Sequence, residues 1–165
     1  MEQAIRKSRV DGAKRIALIN PPSFFLTDDK VFSTLGLLSI AGVALKAGHH
    51  VDMYDLAGHS DYEEIARQIA QKKYDLYGLT ATSPQFSYAT NILEAIKAVH
   101  PRSRVVVGGP HATMFADLRS KRMVKFGFVE ARVNESDVNF QTLERFDQVI
   151  EGEEMGIFEA LNALG

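Results

Sequence analysis

The chain has 165 residues, 45% of them apolar and 24% charged, the size and makeup of one ordinary globular domain able to bury its own core. Its formal charge of −2, from 19 basic and 21 acidic side chains, sets up no long-range field that would draw in nucleic acid or an anionic membrane. Cysteine is absent, which excludes disulfides, thiolate zinc sites, cysteine nucleophiles and any cysteine-ligated iron–sulfur cluster within these residues.

The N-terminal stretch is basic but lacks the apolar core of a signal peptide, and the most apolar run, Leu35 to Leu45, is too short to cross a bilayer. A cytoplasmic location is therefore expected, with residues 1–13 as a tail and 14–165 as the domain. Arg15 to Asn20 (RIALIN) is a short aliphatic run cut off by Pro21-Pro22, the pattern of a buried parallel strand ended by a turn. Leu35, Leu38, Val43 and Leu45 supply the apolar side of a first helix, and Gly48 stands where a left-handed cap would end it. Val51 to Leu56 gives a second strand. Ser60 and Glu63 have capping-box spacing before a helix whose apolar face carries Ile65 and Ile69. Leu76 to Ala81 is a third strand, and Ser83-Pro84 offers an N-cap and a first-turn proline ahead of Ala89, Ile92, Leu93, Ile96 and Val99. Arg104 to Val107 is a fourth strand. Beyond Gly109 a helix is expected over Met114 to Phe126, residues 127–146 have no clean period, Gln148 to Glu151 restores a short strand, and Ile157, Phe158, Leu161 and Leu164 mark a last helix.

Strands alternating with helices at this spacing imply parallel pairing through right-handed crossovers, hence a three-layer α/β sandwich. Five strands suit the flavodoxin-like order 2-1-3-4-5 with helices on both faces, in which ligands bind at the carboxyl ends of the strands where the order reverses. Four loops fall at that edge: Asn20 to Ser23, Thr80 to Gln85, Gly108 to Thr113 and Glu151 to Glu153. Their Gly, Pro, Thr and Ser expose backbone N–H groups and hydroxyls beside helix starts. Turn geometry alone explains any one such loop; four at one edge point to a single cleft that takes a ligand.

Several ligand classes fail on particular residues. A phospho-acceptor receiver needs an acidic magnesium cluster at the end of the first strand, where this chain has Ile19-Asn20-Pro21. A flavin phosphate loop needs N–H donors that Pro21-Pro22 remove. Neither GxGxxG nor GxxxxGK follows the first strand, and no GxSxG nucleophile is present.

The ordered set INPP, TLGLLSIAGVALKAGH, GLTATSPQF, VVVGGPHAT and VIEGEE resembles the cobalamin-binding N-terminal domain of cobalamin-dependent radical S-adenosylmethionine proteins. The resemblance implies a Rossmann-like domain holding vitamin B12, its corrin across the strand ends and its nucleotide tail between sheet and helices. By the same resemblance Asn20 and Pro21 would border the ring, with Thr34, Leu35 and Gly36 on the rim. Thr80, Thr82 and Ser83 would line the tail, Gly108, Gly109 and His111 would approach it closely, and Glu151, Gly152 and Glu153 would close the far side. The DxHxxG loop of mutases and methionine synthase, whose histidine ligates cobalt, is replaced by NPPSFF.

With no cysteine for a CxxxCxxC motif, the iron–sulfur cluster and S-adenosylmethionine are expected in another domain, of a longer chain or of a partner. This chain would then present cobalamin for methyl transfer or related radical chemistry, without catalytic residues or protein metal ligands of its own. A stand-alone nucleotide-binding or small-molecule-binding flavodoxin-like protein, and a degenerate interaction module, are the alternatives. Among the remaining residues, His49 and His50 are expected to be solvent-exposed, and Glu151 and Glu153 to be helix-start acids. Arg119, Lys121, Arg122 and Lys125 should form a solvated helix face, and Phe24, Phe25 and Phe32 an aromatic lid.

Overall fold

The computed structural model describes residues 12–24, 34–120, 123–126, 129–132, 138–150 and 156–162. Chain order gives β1 (Arg15–Asn20), α1 (Leu35–Lys46), β2 (His50–Asp55), α2 (Tyr62–Gln71), β3 (Leu76–Thr80) and α3 (Phe86–Val99), the last entered through a 3-10 turn at Ser83–Gln85. Then follow β4 (Val105–Gly108), α4 (Pro110–Ser120), β5 (Met123–Phe126), β6 (Val129–Arg132), α5 (Val138–Leu143), β7 (Gln148–Val149) and α6 (Gly156–Asn162). Five strands form one parallel sheet in the order β2-β1-β3-β4-β7, which is the expected 2-1-3-4-5 with β7 in the fifth place.

Period-two alternation along the strands divides the core into two layers. Ile16, Leu18, Leu76 and Val106 face α1 and α6, whereas Ala17, Ile19, Tyr77, Leu79, Val105 and Val107 face α2 and α3. Each fully buried aliphatic of this kind contributes roughly 1.5–3 kcal/mol of transfer free energy. Because both of their faces are covered, β1, β3 and β4 read as continuous apolar runs, which is why they were legible.

The expectations fail at four places, each for a local reason. The segment expected as helix through Phe126 ends its helix at Ser120 and continues as a separate antiparallel β5–β6 hairpin, with α5 following it. The β-branched and aromatic residues of Met123-Val124-Lys125-Phe126 favour extended chain over helix. The basic run therefore straddles α4 and β5 instead of lining one helix, with Lys121 and Arg122 outside the described residues. At α2 the N-cap position is Asp61, not Ser60, and no side chain caps it. At α3 the capping box moves back one residue, to Thr82 and Gln85.

The fourth difference concerns α1. Leu37, Ala41 and Ala44 point into the sheet, and Leu35, Leu38 and Leu45 are exposed at 68%, 51% and 55%. Residues 37, 41 and 44 share one face at 100° per residue, and two alanines let the helix lie close to the strands. Gly48, at φ +93°, closes the helix as expected. Ala44→Leu is expected to overpack that contact and cost about 1–3 kcal/mol in urea unfolding, whereas Leu38→Ser stays within about 0.5 kcal/mol of wild type.

Candidate ligand site at the carboxyl edge of the sheet

Asn20 is the last residue of β1 and pairs in register with Asp55 of β2. Its side-chain amide donates to Asp55 Oδ1 at 2.9 Å, and the same oxygen accepts the Ala57 N–H at 3.1 Å. Pro21 and Pro22 then turn the chain away, both fully buried. Prolines bring no N–H into that burial, so the carbonyls are the backbone groups in need of partners. Gln85 supplies one: its Nε2 donates to Pro21 O at 2.8 Å and to Asn20 Oδ1 at 3.1 Å. Its Oε1 accepts the Thr82 N–H at 3.1 Å and the Thr82 hydroxyl at 2.9 Å. A single buried amide thus joins the β1 turn to the β3 turn. Sequence reading missed Gln85, although Thr82-Ser83-Pro84-Gln85 carries the capping-box spacing that would have flagged it.

The β3 and β4 turns are joined separately. Thr80 pairs with Gly108, the Ala81 N–H donates to Gly108 O at 3.0 Å, and the His111 N–H donates to Ala81 O at 3.0 Å. Gly109 sits at φ +94°, and a Cβ there would fall 2.7 Å from Thr80 Oγ1 and 2.9 Å from Ala81 N. Its lack of a side chain is used to seat one turn on the other. A Cβ on Gly108 would make only ordinary contact with Ile150. Gly109→Ala combines a disallowed φ with backbone overlap and is expected to cost at least about 2 kcal/mol, a melting-temperature loss of roughly 4–8 °C.

His111 is buried, its ring stacked on Phe86 at 4.1 Å and tilted against Phe115 at 4.5 Å. Its Nδ1 lies 3.1 Å from Ser83 Oγ, and its buried Nε2 has no hydrogen-bond partner among the described residues. Burial pushes its pKa below the ordinary imidazole value. Thr82 and Ser83 are exposed and Thr80 half-buried, so hydroxyls are available beside this ring.

Of the other expected site residues, Thr34 precedes α1, followed by exposed Leu35 and Gly36, whose missing Cβ faces nothing within 4 Å among the described residues. Glu151, Gly152 and Glu153 lie outside the described residues, although the Ile150 N–H donates to Val107 O at 2.8 Å and so brings the chain to the same edge. Phe24 is half-exposed and packs edge-on against Tyr88 at 5.4 Å, with Tyr62 5.6 Å from Tyr88; Phe25 and Phe32 lie outside the described residues.

At the opposite end of the sheet His50 is exposed as expected, but His49 is buried. Its Nδ1 accepts the Lys14 N–H at 3.2 Å, because the chain must pass inward from Gly48 to start β2. Desolvation, then the charge of Lys14, holds its pKa down. Both buried histidines thus resist protonation when folded, while the unfolded chain takes up protons near pH 6.5. Their contribution is fully present above that pH and is lost as the pH falls from there towards the lowered folded values. Melting temperature is expected to drop on acidification from pH 7.5 to 5.5, and His111→Phe or His49→Gln to flatten the drop. A profile unchanged in both variants would contradict this assignment.

A parallel sandwich whose β1, β3 and β4 turns are hydrogen-bonded into one edge at the order reversal is the ligand-binding arrangement of doubly wound α/β modules. Residues 26–138, well over half of the chain, match the family described as B12 binding domain, and the chain belongs to that family. An uncharacterized methyltransferase of Pyrococcus horikoshii is 31% identical over 108 residues, covering 63% of this chain and 23% of that protein. The radical S-adenosylmethionine methyltransferase TsrM of Kitasatospora setae, solved with its tryptophan substrate and an S-adenosylmethionine analogue, superposes with a TM-score of 0.52. Identity to it is 17% over 66% of this chain and 22% of TsrM, a likeness of fold. The chain therefore spans less than a quarter of the length of either protein. No helix among the described residues is long and apolar enough to cross a membrane.

Proposed function

We propose that residues 14–165 hold cobalamin at the carboxyl edge of the sheet and present it to a radical S-adenosylmethionine domain, of the same or a partner chain, for methyl transfer or related radical chemistry. The observation that carries this reading is the knitting of the β1, β3 and β4 turns into one edge, in a chain of the B12 binding domain family. The residues present fit the group. His111 Nε2 is a buried nitrogen awaiting a partner, the Thr80, Thr82 and Ser83 hydroxyls lie on the turns around it, and Gly108 adds no side chain. Asn20 and Pro21 would form the floor beneath the ring, with Thr34, Leu35 and Gly36 at its rim and Glu151, Gly152 and Glu153 on the far side.

When bound, cobalamin supplies a cobalt centre able to carry a methyl group. The chain's own part is to bind and orient. Asn20 spends both arms of its amide within the protein, and His111 is wedged between two phenyl rings, so both act as walls. The iron–sulfur cluster and S-adenosylmethionine belong, in this reading, to the other domain; what supports it is that TsrM is a radical S-adenosylmethionine methyltransferase and that the Pyrococcus protein is named a methyltransferase. Exposed Phe24, Leu35 and Met114, each just beyond a strand end or in the first turns of a helix, leave apolar surface for the ring or for the covering domain. A cytoplasmic location is part of the same proposal.

The test is equilibrium titration of the full-length protein with hydroxocobalamin, followed by gel filtration and visible spectroscopy. One equivalent retained per chain is expected, and complete loss of colour from the protein peak at micromolar concentrations would refute the reading.

A further inference from the structure

We propose that Gln85 is a positioning residue of this site: its amide sets the gap between the β1 and β3 turns and thereby fixes where the Thr82 and Ser83 hydroxyls stand. The inference rests on the cobalamin reading above and assigns a role to a residue that no ligand contact requires.

Gln85 is 9% exposed and sits at the end of the 3-10 turn that opens α3. Its two amide ends do different jobs. The donor end holds the β1 exit through Asn20 Oδ1 and Pro21 O, and the acceptor end holds the β3 exit through the N–H and hydroxyl of Thr82. Asn20 passes the connection to Asp55 and so to the β2 turn. Ser83, next in the chain, passes it through His111 to the β4 turn. The chain of contacts therefore runs across four strand ends with Gln85 near its middle.

Polarity makes the glutamine specific. A glutamate would keep the acceptor end but set an oxygen against two oxygens, and a methionine of similar volume would leave all four partners unpaired. Either change lets the two turns move relative to one another, and a shift of about 1 Å between supporting walls is enough to misplace a bound group.

The experiment compares wild type, Gln85→Glu, Gln85→Met, Thr82→Val and the double variant Gln85→Met/Thr82→Val in the full-length protein. Each is titrated with hydroxocobalamin at a temperature where circular dichroism shows it folded. Ile69→Val, in the core under α2, serves as a variant that loses stability away from the turns. Both Gln85 variants are expected to bind at least about tenfold more weakly, and Ile69→Val to bind as wild type. The double variant should bind no more weakly than Gln85→Met alone, because Gln85 acts through Thr82.

If one Gln85 variant does not fold, the other carries the test, with the same expected loss. Wild-type binding with unchanged affinity in every folded variant overturns the positioning role and leaves the cobalamin reading intact. Additive losses in the double variant also overturn it. Failure of wild type itself to bind overturns both.

Discussion

Two consecutive prolines leave β1 without an N–H to offer, and the buried turn they make is held at a carbonyl by the side chain of a residue 64 positions away. That amide-to-carbonyl bond is the constraint on which the carboxyl edge depends. With it, the order reversal between β1 and β3 becomes a braced wall and the β3 turn has a fixed height. Around it polar side chains are paired, Asn20 with Asp55, Thr82 with Gln85 and Ser83 with His111 Nδ1. Buried polar networks of this kind are costly when half-made and rigid when complete, which suits a surface that must keep its shape before a ligand arrives.

The brace also explains why the residues of the edge divide into two kinds. Asn20, Pro21, Gln85, Gly109 and His111 are turned inward and make the wall, while Thr82, Ser83, Leu35 and Gly36 are exposed. In the proposed complex, residues of the first kind would act on the ligand through shape and those of the second through contact. Gly109 shows the distinction best. Its place in a Gly-Gly-Pro-His loop invites a reading as close approach to a ligand, yet its empty side faces Thr80 and Ala81.

Strand positions were legible because a doubly covered parallel sheet demands unbroken apolar runs, and Arg15–Asn20, Leu76–Thr80 and Val105–Gly108 have them. Their order followed from the crossover rule and the family resemblance. The inward face of α1 was not legible, because its buried residues include two alanines while its leucines are exposed, against the usual weighting of side-chain size. The β5–β6 hairpin escaped because it pairs with itself outside the main sheet, and each of its strands is only four residues long. Gln85 escaped for a different reason: the cap signal was visible, but its partners lie 64 and 65 residues upstream, a distance that local pattern cannot bridge.

The two ends of the sheet are built from different chemistry, and the difference bears on the ligand. At the amino end Lys72 donates to the Tyr54 hydroxyl at 3.1 Å, Tyr54 and Tyr74 share a hydrogen bond at 2.5 Å, and Tyr74 donates to Asp52. The Arg15 guanidinium lies 4.9 Å over the Tyr74 ring. Burial, reinforced by the bond to Asp52, pushes the Tyr74 phenol pKa upward, so the hydroxyl stays a donor throughout the neutral range. The carboxyl end is joined instead by amides, hydroxyls and an imidazole whose pKa burial lowers, with Asp55 supplying a carboxylate. A ligand rich in phosphate would call for lysine or arginine beside those turns. A large ligand with amide arms asks for what the described residues offer: donors and acceptors on a stiff wall and apolar surface at the rim. In the proposed reading, that match of polarity adds to the shared fold as a reason to place cobalamin at this edge.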